Sequence, residues 1–192
     1  GVGQTEFISS DLGDSVAVIS HTNPGDTSLN VMGEYGQYNK KLNRITFPDG
    51  YLFIGDFAFA GCDNLSVIDL PDSLSGIGKN AFAGCESLSG LNISYDVNVR
   101  DNAFANCGVL NKVTIESAKL GNSIFAGTKI KKIVFPNGKE KNFSLLNCLT
   151  NDIGTIQVGS QVKSLNLQNH DSQQLTNITK INKIIIKGKR TK

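Results

Sequence analysis

The sequence IGDFAFAGC at residues 54–62 decides the fold, because it returns at nearly regular intervals along the chain. It recurs as IGKNAFAGC at residues 77–85, and AFANC at residues 103–107 is a third copy. LGNSIFAGT at residues 120–128 and LLNC at residues 145–148 are progressively weaker copies. A repeat of roughly 20 to 30 residues is typical of a solenoid, in which each coil buries its apolar side against the neighbouring coils.

A second phrase, L-x-x-I-x-L, follows the copies and alternates apolar with polar residues, as a half-buried strand does. We expect its last two apolar positions to point inward in every coil, at Ile45/Phe47, Ile68/Leu70, Leu91/Ile93, Val113/Ile115 and Ile133/Phe135. Stacked coils would join these strands into a parallel sheet. Three prolines come directly after such strands, where the missing N–H ends the hydrogen-bond ladder, at Pro48, Pro71 and Pro136.

The A-F-A-G-C part of the unit has one large apolar residue that we expect to fill the core. It is phenylalanine in four copies, at Phe59, Phe82, Phe104 and Phe125. Two positions later every copy has glycine or asparagine, at Gly61, Gly84, Asn106, Gly127 and Asn147. These two residue types enter the left-handed region at low cost, so the sequence predicts positive φ at all five positions. The pattern favours a short helical turn closed by a left-handed residue.

The whole unit, I-G-x-x-A-F-x-G-C-x-x-L-x-x-I-x-L-P, resembles the BspA-like leucine-rich repeat over about residues 42–136, with a weaker extension to about 158. The resemblance implies an α/β-type, β-rich solenoid: a right-handed superhelix with a parallel sheet on its concave face, short helical turns on its convex face and atypical β caps. It also implies a secreted or surface-attached microbial protein, some members of the family being adhesins that bind host proteins. An export signal, if the protein has one, lies outside this sequence.

The flanks of the repeat region are expected to close the two ends of a single structural domain. We predict an N-terminal β-hairpin cap over residues 1–41, formed by strands at 16–19 and 29–32, and a solenoid of about five to six coils over residues 42–158. Residues 159–192 would form shrunken, β-rich closing coils. The nine-residue step from Ile156 to Leu165 is too short for a full coil and has no explanation in the sequence.

Charge is unevenly distributed, although the formal net charge is only +2. Residues 1–96 contain 4 Lys+Arg and 12 Asp+Glu, or −8, and residues 97–192 contain 15 and 5, or +10. The simpler interpretation of this asymmetry is that the charge of solvent-exposed residues varies along the chain without a functional reason. Alternatively, the basic end binds a glycan, a lipid head group or another copy through Lys187, Lys189, Arg190 and Lys192. Nucleic acid is not expected, because the basic half has few aromatic residues and no nucleic-acid-binding motif, and no stretch is long and apolar enough to span a membrane.

Catalytic and cofactor motifs are not found in the sequence. The two histidines, His21 and His170, lie outside the repeats and have no cysteine or serine motif nearby. Four cysteines occupy one repeat position, and we expect them to be reduced, buried thiols in a row, at Cys62, Cys85, Cys107 and Cys148. A zinc site would need short C-x-x-C pairs, which the chain lacks. The sequence therefore predicts no enzyme activity, no metal and no cofactor.

The outward positions of the predicted strands form the best candidate binding surface, here called the strip. It consists of Arg44, Thr46, Val67, Asp69, Asn92, Lys112, Thr114, Lys132 and Val134. The strip is polar and lacks an aromatic anchor, so an ordinary solvated face is the alternative interpretation.

Three functions remain open on this sequence evidence. The first is a non-catalytic, exported or cell-surface repeat protein that mediates protein–protein interaction or adhesion. The second is a glycan or anionic-polymer binder that uses the basic C-terminal half. The third is a structural spacer within a larger surface protein. The oligomeric state is not predicted.

Overall fold

The structure, a computed structural model, describes residues 6–9, 16–20, 30–31, 42–47, 49–145, 148, 152–167 and 181–188. Within these residues the chain forms β-strands and no helix. The strands in chain order are β1 (Glu6–Ser9), β2 (Val16–Ser20), β3 (Asn30–Val31), β4 (Arg44–Thr46), β5 (Phe53–Ile54), β6 (Val67–Asp69), β7 (Gly76–Ile77), β8 (Gly90–Ile93), β9 (Asn98–Val99), β10 (Lys112–Ile115), β11 (Lys132–Phe135), β12 (Asn142–Ser144), β13 (Ile153–Val158), β14 (Ser164–Asn166) and β15 (Ile181–Ile186).

The strands of the L-x-x-I-x-L phrase form the parallel sheet that the sequence predicts. We call it the first sheet; it has two hydrogen-bonded groups, β1-β2-β4-β6 and β8-β10-β11-β13-β15. Every pairing in it is parallel except that of β1 with β2. Leu91, Val113, Ile133 and Ile156 are partners in register, so equivalent residues of successive coils are neighbours in space. The right-handed sense of the superhelix and the concave position of this sheet stay predictions.

Most coils also contribute a strand to a second sheet, which the sequence did not reveal; the coil of β10 contributes only a single bridge, between Leu120 and Val99. The two groups of this second sheet are β3-β5-β7-β9 and β12-β14, all parallel. Ile45 and Ile54 lie nine positions apart on the two sheets of one coil, and Ile156 and Leu165 repeat that spacing. Residues 162–167 are therefore not a separate shrunken coil, and that interpretation was wrong. The chain there crosses from the first sheet to the second within one coil.

The hairpin predicted between residues 16–19 and 29–32 is not formed. β2 pairs in parallel with β4 of the first sheet, whereas β3 pairs in parallel with β5 of the second sheet. This arrangement extends both ladders by one strand, while a hairpin would leave the edge of β5 unpaired. The antiparallel partner of β2 is β1, with Glu6 opposite Ser20. The division of the chain into residues 1–41, 42–158 and 159–192 stays a prediction.

The predicted helical turn is replaced by consecutive hydrogen-bonded turns. Ala60 N–H donates to Phe57 O and Cys62 N–H donates to Phe59 O, both over three residues. The N–H groups of alternate residues donate to the next coil instead, as Phe59 does to Ala81 O and Gly61 does to Ala83 O, both at 2.7 Å. The peptide groups thus point alternately within the coil and along the solenoid, which an α-helix with its i→i−4 pattern cannot do.

Left-handed residues produce this alternation. Positive φ is confirmed at four of the five predicted positions, Gly61 (73°), Gly84 (74°), Asn106 (59°) and Gly127 (71°). The fifth, Asn147, lies outside the described residues. A second left-handed residue, which the sequence analysis missed, precedes each of these by four positions, at Phe57 (57°), Asn80 (54°), Asn102 (57°) and Ser123 (54°).

The four repeat phenylalanines fill the core, as predicted, and their rings form a column along the solenoid. Phe59 stacks on Phe82 and Phe82 on Phe104, with ring centroids 5.4 Å apart in both pairs. Phe104 and Phe125 follow at 6.3 Å. All four rings are buried. Leu145, which replaces the phenylalanine in the weakest copy, is buried as well.

Candidate functional site

The strip begins with three polar residues that bind one another. The Arg44 guanidinium donates to Asp69 Oδ2 from Nε at 3.1 Å and from Nη2 at 2.9 Å. Thr46 Oγ1 donates to the same oxygen at 3.1 Å. The side chains of Arg44 and Asp69 are 50% and 42% exposed. Strands β4 and β6 bring them together, because Arg44 is in register with Val67, and Thr46 with Asp69.

The strip is interrupted after this cluster. The first sheet divides between β6 and β8, which belong to different hydrogen-bonded groups. Ile68 and Leu70, which we expected to point inward, are only partly buried, although they pack against the core. Val67 is 37% exposed. The sequence placed these residues and the next coil in one continuous surface, and the structure separates them into two segments.

The second segment is continuous and carries basic residues without a counter-ion among the residues that the structure describes. Lys112 is in register with Gly90 on one side and Lys132 on the other, and Asn92, Thr114 and Val134 form the adjacent row. Within the described part of the chain, neither lysine side chain has a carboxylate partner. The lysine row continues two strands further than predicted, through Thr155 of β13 to Lys183 of β15.

A cleft of about 240 Å³ lies beside this second segment, and sequence reasoning did not find it. The loops that follow β8, β10 and β11 form it, and its lining includes Tyr95, Glu116, Lys139 and Glu140. Tyr95 is 46% exposed, and Lys139 Nζ lies 5.5 Å from the centroid of its ring. The Glu140 carboxylate is held in place by the backbone N–H groups of its two following residues, at 2.9 and 2.8 Å. The available signal in the sequence was an aromatic residue two positions after the end of a strand.

The cysteine row is a feature of the core and has no reactive site. All four cysteines are buried and free of disulfides, as predicted. Cys85 Sγ donates to Phe59 O at 3.4 Å, and Cys107 Sγ donates to Phe82 O at 3.3 Å. Burial raises the pKa of the Cys107 thiol to about 12 and also raises that of Cys85. Such thiols stay protonated and are poor nucleophiles.

Other chemistry has little support in the described residues. They contain no group of three His, Cys, Asp or Glu side chains that could hold a metal ion. None of the described segments is a helix long and apolar enough to cross a bilayer. His21 and His170, expected to be isolated surface residues, lie outside the described residues, as do Lys189, Arg190 and Lys192 of the basic end.

Three solved structures of bacterial leucine-rich repeat proteins match the chain to different degrees. The chain is similar to a leucine-rich repeat protein of T. pallidum, with 19% identity, coverage of 86% of this chain and 80% of that chain, and a TM-score of 0.51. Matches to a leucine-rich repeat protein from Bacteroides ovatus (97% and 76% coverage) and a leucine rich cell surface protein from Faecalibacterium prausnitzii (88% and 76%) have 14% identity and TM-scores of 0.32. No curated protein matches the chain.

A family model decides the membership. The model for the BspA type leucine rich repeat region, in 6 copies, matches residues 30–149, which is more than half of the chain. The match starts at Asn30, the first residue of β3, so the repeats begin earlier than the resemblance over residues 42–136 indicated. The chain belongs to the BspA-type leucine-rich repeat family.

Proposed function

We propose that this protein is a non-catalytic, exported or surface-displayed scaffold that binds a protein ligand through the outward side of the first sheet. BspA-type leucine-rich repeats are protein-interaction scaffolds, and proteins that contain them are typically surface or secreted bacterial proteins. The repeat architecture itself supports this role, because stacked strands present side chains at fixed spacing over a long surface.

The observation that carries the proposal is the pair Lys112 and Lys132. The two lysines are register partners on adjacent strands, which lie about 4.8 Å apart, and neither has a carboxylate partner among the described residues. Like charges on directly neighbouring strands destabilise a sheet. A ligand that places carboxylates over both ammonium groups relieves this repulsion, so the proposed ligand presents an acidic surface.

The cleft supplies the aromatic anchor that the strip lacks. Tyr95 follows β8 and Lys139 follows β11, so both lie at the carboxyl ends of the strands that carry Asn92 and Lys132. Exposed tyrosine is enriched among residues that dominate protein–protein binding energy. We therefore include Tyr95 in the proposed site, together with Lys112 and Lys132.

The first segment contributes less to binding in this proposal. Asp69 already accepts three hydrogen bonds from Arg44 and Thr46, so a ligand has to compete with contacts that the folded protein makes by itself. We assign this cluster to sheet geometry rather than to ligand recognition. The proposed binding site therefore consists of the lysine row of the strip and the adjacent cleft.

The proposal is tested by surface plasmon resonance against a panel of purified host extracellular proteins. For a protein that binds, the double variant Lys112→Ala/Lys132→Ala is expected to weaken Kd at least tenfold, and Tyr95→Ala to weaken it severalfold. Lys163→Ala, an exposed lysine next to β14 on the second sheet, is the matched control and should leave Kd unchanged. Equal Kd values for the wild type and the double variant would rule out this face.

Export is tested separately in the organism that makes the protein. Intact cells are treated with protease, and the chain is followed by immunoblot in the cell, surface and medium fractions. A surface or secreted protein is degraded on intact cells or recovered from the medium. Protection in intact cells, with loss only after lysis, would contradict display at the surface.

An anionic polymer is the second candidate ligand, and the length of the lysine row favours it. Lys112, Lys132 and Lys183 lie in one register row, a spacing suited to repeated negative charges. The triple variant with glutamine at these positions should elute from immobilised heparin at lower salt than the wild type. Tyr95→Ala should not change heparin elution, which separates this candidate from the protein ligand. Elution of the wild type at low salt would count against it.

A further inference from the structure

Phe57 has a backbone conformation that phenylalanine rarely adopts. Its φ of 57° lies in the left-handed region, which is unfavourable for an L-residue with a bulky side chain. The equivalent residues of the next three coils are Asn80, Asn102 and Ser123, with φ between 54° and 57°. Asparagine tolerates this region far better than phenylalanine. Among the coils in which this position is left-handed, only this one has an aromatic residue there.

The hydrogen bonds show that the position is the same in each coil. Phe57 N–H donates to Lys79 O of the next coil at 2.9 Å, and Asn80 N–H donates to Asp101 O at 3.1 Å. Asn102 N–H likewise donates to a carbonyl of the following coil, at 3.0 Å. Asparagine is therefore compatible with this backbone conformation, and the conformation does not explain why residue 57 is phenylalanine.

Packing gives no reason either, because the Phe57 side chain is 47% exposed. The core ring of the same coil is Phe59, which is fully buried. Phe53, four positions before Phe57, is 42% exposed on the outward side of β5, where its ring lies over Gly76 of the next coil. Every other phenylalanine whose side chain the structure describes is buried. Two exposed aromatic residues on one coil, one of them with a strained backbone, indicate selection for contact with something outside the chain.

The charges of this coil and the next one indicate the chemistry of the partner. Residues 45–78 contain five aspartates and no lysine or arginine, and Lys79 is the first basic residue after them. Asp49, Asp56 and Asp72 are exposed. Lys79 belongs to the same region, because its backbone binds Phe57 N–H and Asp56 Oδ1, but the three exposed aspartates outnumber it. The resulting excess of negative charge is opposite in sign to the lysine row of the first sheet, so the two surfaces suit different partner chemistry.

We infer that Phe57 and Phe53 form a second binding surface, whose occupant is a protein segment with apolar side chains flanked by lysine or arginine. Phe57 is the central contact, and the aspartates pair with the basic flanks. This surface lies on the second sheet and the following turn, apart from the first-sheet site, and it does not depend on the proposed function of that site.

The inference is tested with two fluorescein-labelled synthetic peptides of identical apolar pattern, one of leucine and lysine and the other of leucine and glutamate. Fluorescence anisotropy of the intact protein should detect binding of the lysine peptide and at least tenfold weaker binding of the glutamate peptide. Phe57→Asn should weaken the lysine peptide at least tenfold without lowering Tm, because asparagine relieves the backbone strain. Phe53→Ala should weaken it severalfold.

Two control variants make the result specific. Val109 is 50% exposed in another coil, so Val109→Asn should bind the lysine peptide as the wild type does. Lys112→Ala/Lys132→Ala should also bind it normally, which separates this surface from the proposed function. Failure of the wild type to bind the lysine peptide, equal binding of both peptides, unchanged binding by Phe57→Asn, or a lower Tm of Phe57→Asn would each overturn the inference. Self-association of the wild type that Phe57→Asn abolishes, measured by sedimentation velocity, would identify a second copy as the occupant and overturn the basic partner.

Discussion

The Asp56 carboxylate accepts the backbone N–H of Lys79 in the next coil, with 2.7 Å between Oδ1 and N. Asp101 Oδ1 accepts the N–H of Asn122 in the same way at 2.8 Å. The residue before each donor is a glycine, Gly78 or Gly121. A Cβ at Gly78 would lie 2.5 Å from Asp56 Oδ1, and one at Gly121 would lie 2.6 Å from Asp101 Oδ1. The glycine of the I-G pair is thus required because the previous coil places a carboxylate against it.

The first prediction concerns the carboxylate of this contact. Asp56→Ala should lower the free energy of unfolding by about 1 kcal/mol, because it removes an acceptor for the Lys79 N–H at an exposed site. Urea denaturation followed by circular dichroism measures the change. Asp72→Ala is the control, since Asp72 is exposed and its side chain has no hydrogen bond within the described residues. Equal stability of the two variants would show that the contact contributes nothing.

The second prediction concerns the glycine. Gly78→Ala should destabilise the protein by about 1–3 kcal/mol, because the new methyl group overlaps Asp56 and the backbone of Gly55. Gly108→Ala provides the comparison, since a Cβ there would have no atom within 4 Å and its φ is not in the left-handed region. That variant should be as stable as the wild type or slightly more stable. A Gly78→Ala protein with wild-type urea midpoint would contradict the packing described here.

The features that the sequence predicted correctly are those that recur with the same letters in every coil. Phe59, Phe82 and the cysteine row each meet a copy of themselves in the next coil, so identical residues have identical surroundings. The left-handed residues at Gly61 and Gly84 belong to the same class. The repeating sequence is sufficient to predict these features because, in a solenoid, the position of a residue in the repeat determines its position in space.

The features that the sequence missed depend on pairing between segments. A nine-residue step from one sheet to the other looks the same in text as a short step between coils, so Ile156 and Leu165 were assigned to different coils. The helical turn was expected from the glycine or asparagine that recurs at the position of Gly61, and the left-handed Phe57 four residues earlier excludes it.

The candidate site was only partly predictable for the same reason. Each strand of the strip was located correctly, but the L-x-x-I-x-L phrase reads alike on both sides of the break between β6 and β8. The cleft beside Tyr95 forms where three loops from different coils meet. No short sequence motif predicts that loops from different coils lie together.

The third prediction concerns the aromatic column. Phe82 is buried between Phe59 and Phe104, with both centroids 5.4 Å away, so Phe82→Ala should cost about 3–5 kcal/mol of unfolding free energy. Phe82→Leu should cost clearly less, because Leu145 fills the equivalent position of another coil. Val109→Ala, at an exposed site, should change stability by less than about 0.5 kcal/mol. An equally small effect of Phe82→Ala would contradict a continuous core.

The fourth prediction concerns thiol reactivity. The four cysteines should not react with Ellman's reagent at pH 8 in the folded protein, because all four are buried and burial also raises the pKa of Cys85, Cys107 and Cys148. In a high concentration of guanidinium chloride all four should react within minutes. Fast reaction of even one thiol in the native protein would show that the row is accessible, and this result would contradict its assignment to the core.

The fifth prediction gives the dependence of stability on pH. The Cys107 thiol ionises near its ordinary pKa of about 9 in the unfolded chain, but burial raises its pKa to about 12 in the folded protein. Between these pH values the unfolded state binds fewer protons than the folded state. Cys107 therefore lowers the free energy of unfolding as pH rises, by up to about 1.4 kcal/mol per pH unit. Below about pH 8 the thiol is protonated in both states and has no such effect. Cys107→Thr removes this ionisation, and threonine suits the site because the buried Thr128 occupies the equivalent position of another coil. The loss of stability between pH 8 and pH 10, measured by urea denaturation, should therefore be about 1 kcal/mol smaller in Cys107→Thr than in the wild type. Val109→Thr keeps every thiol and should retain the full wild-type loss; if Cys107→Thr loses as much as this control, the buried thiol does not carry the pH dependence.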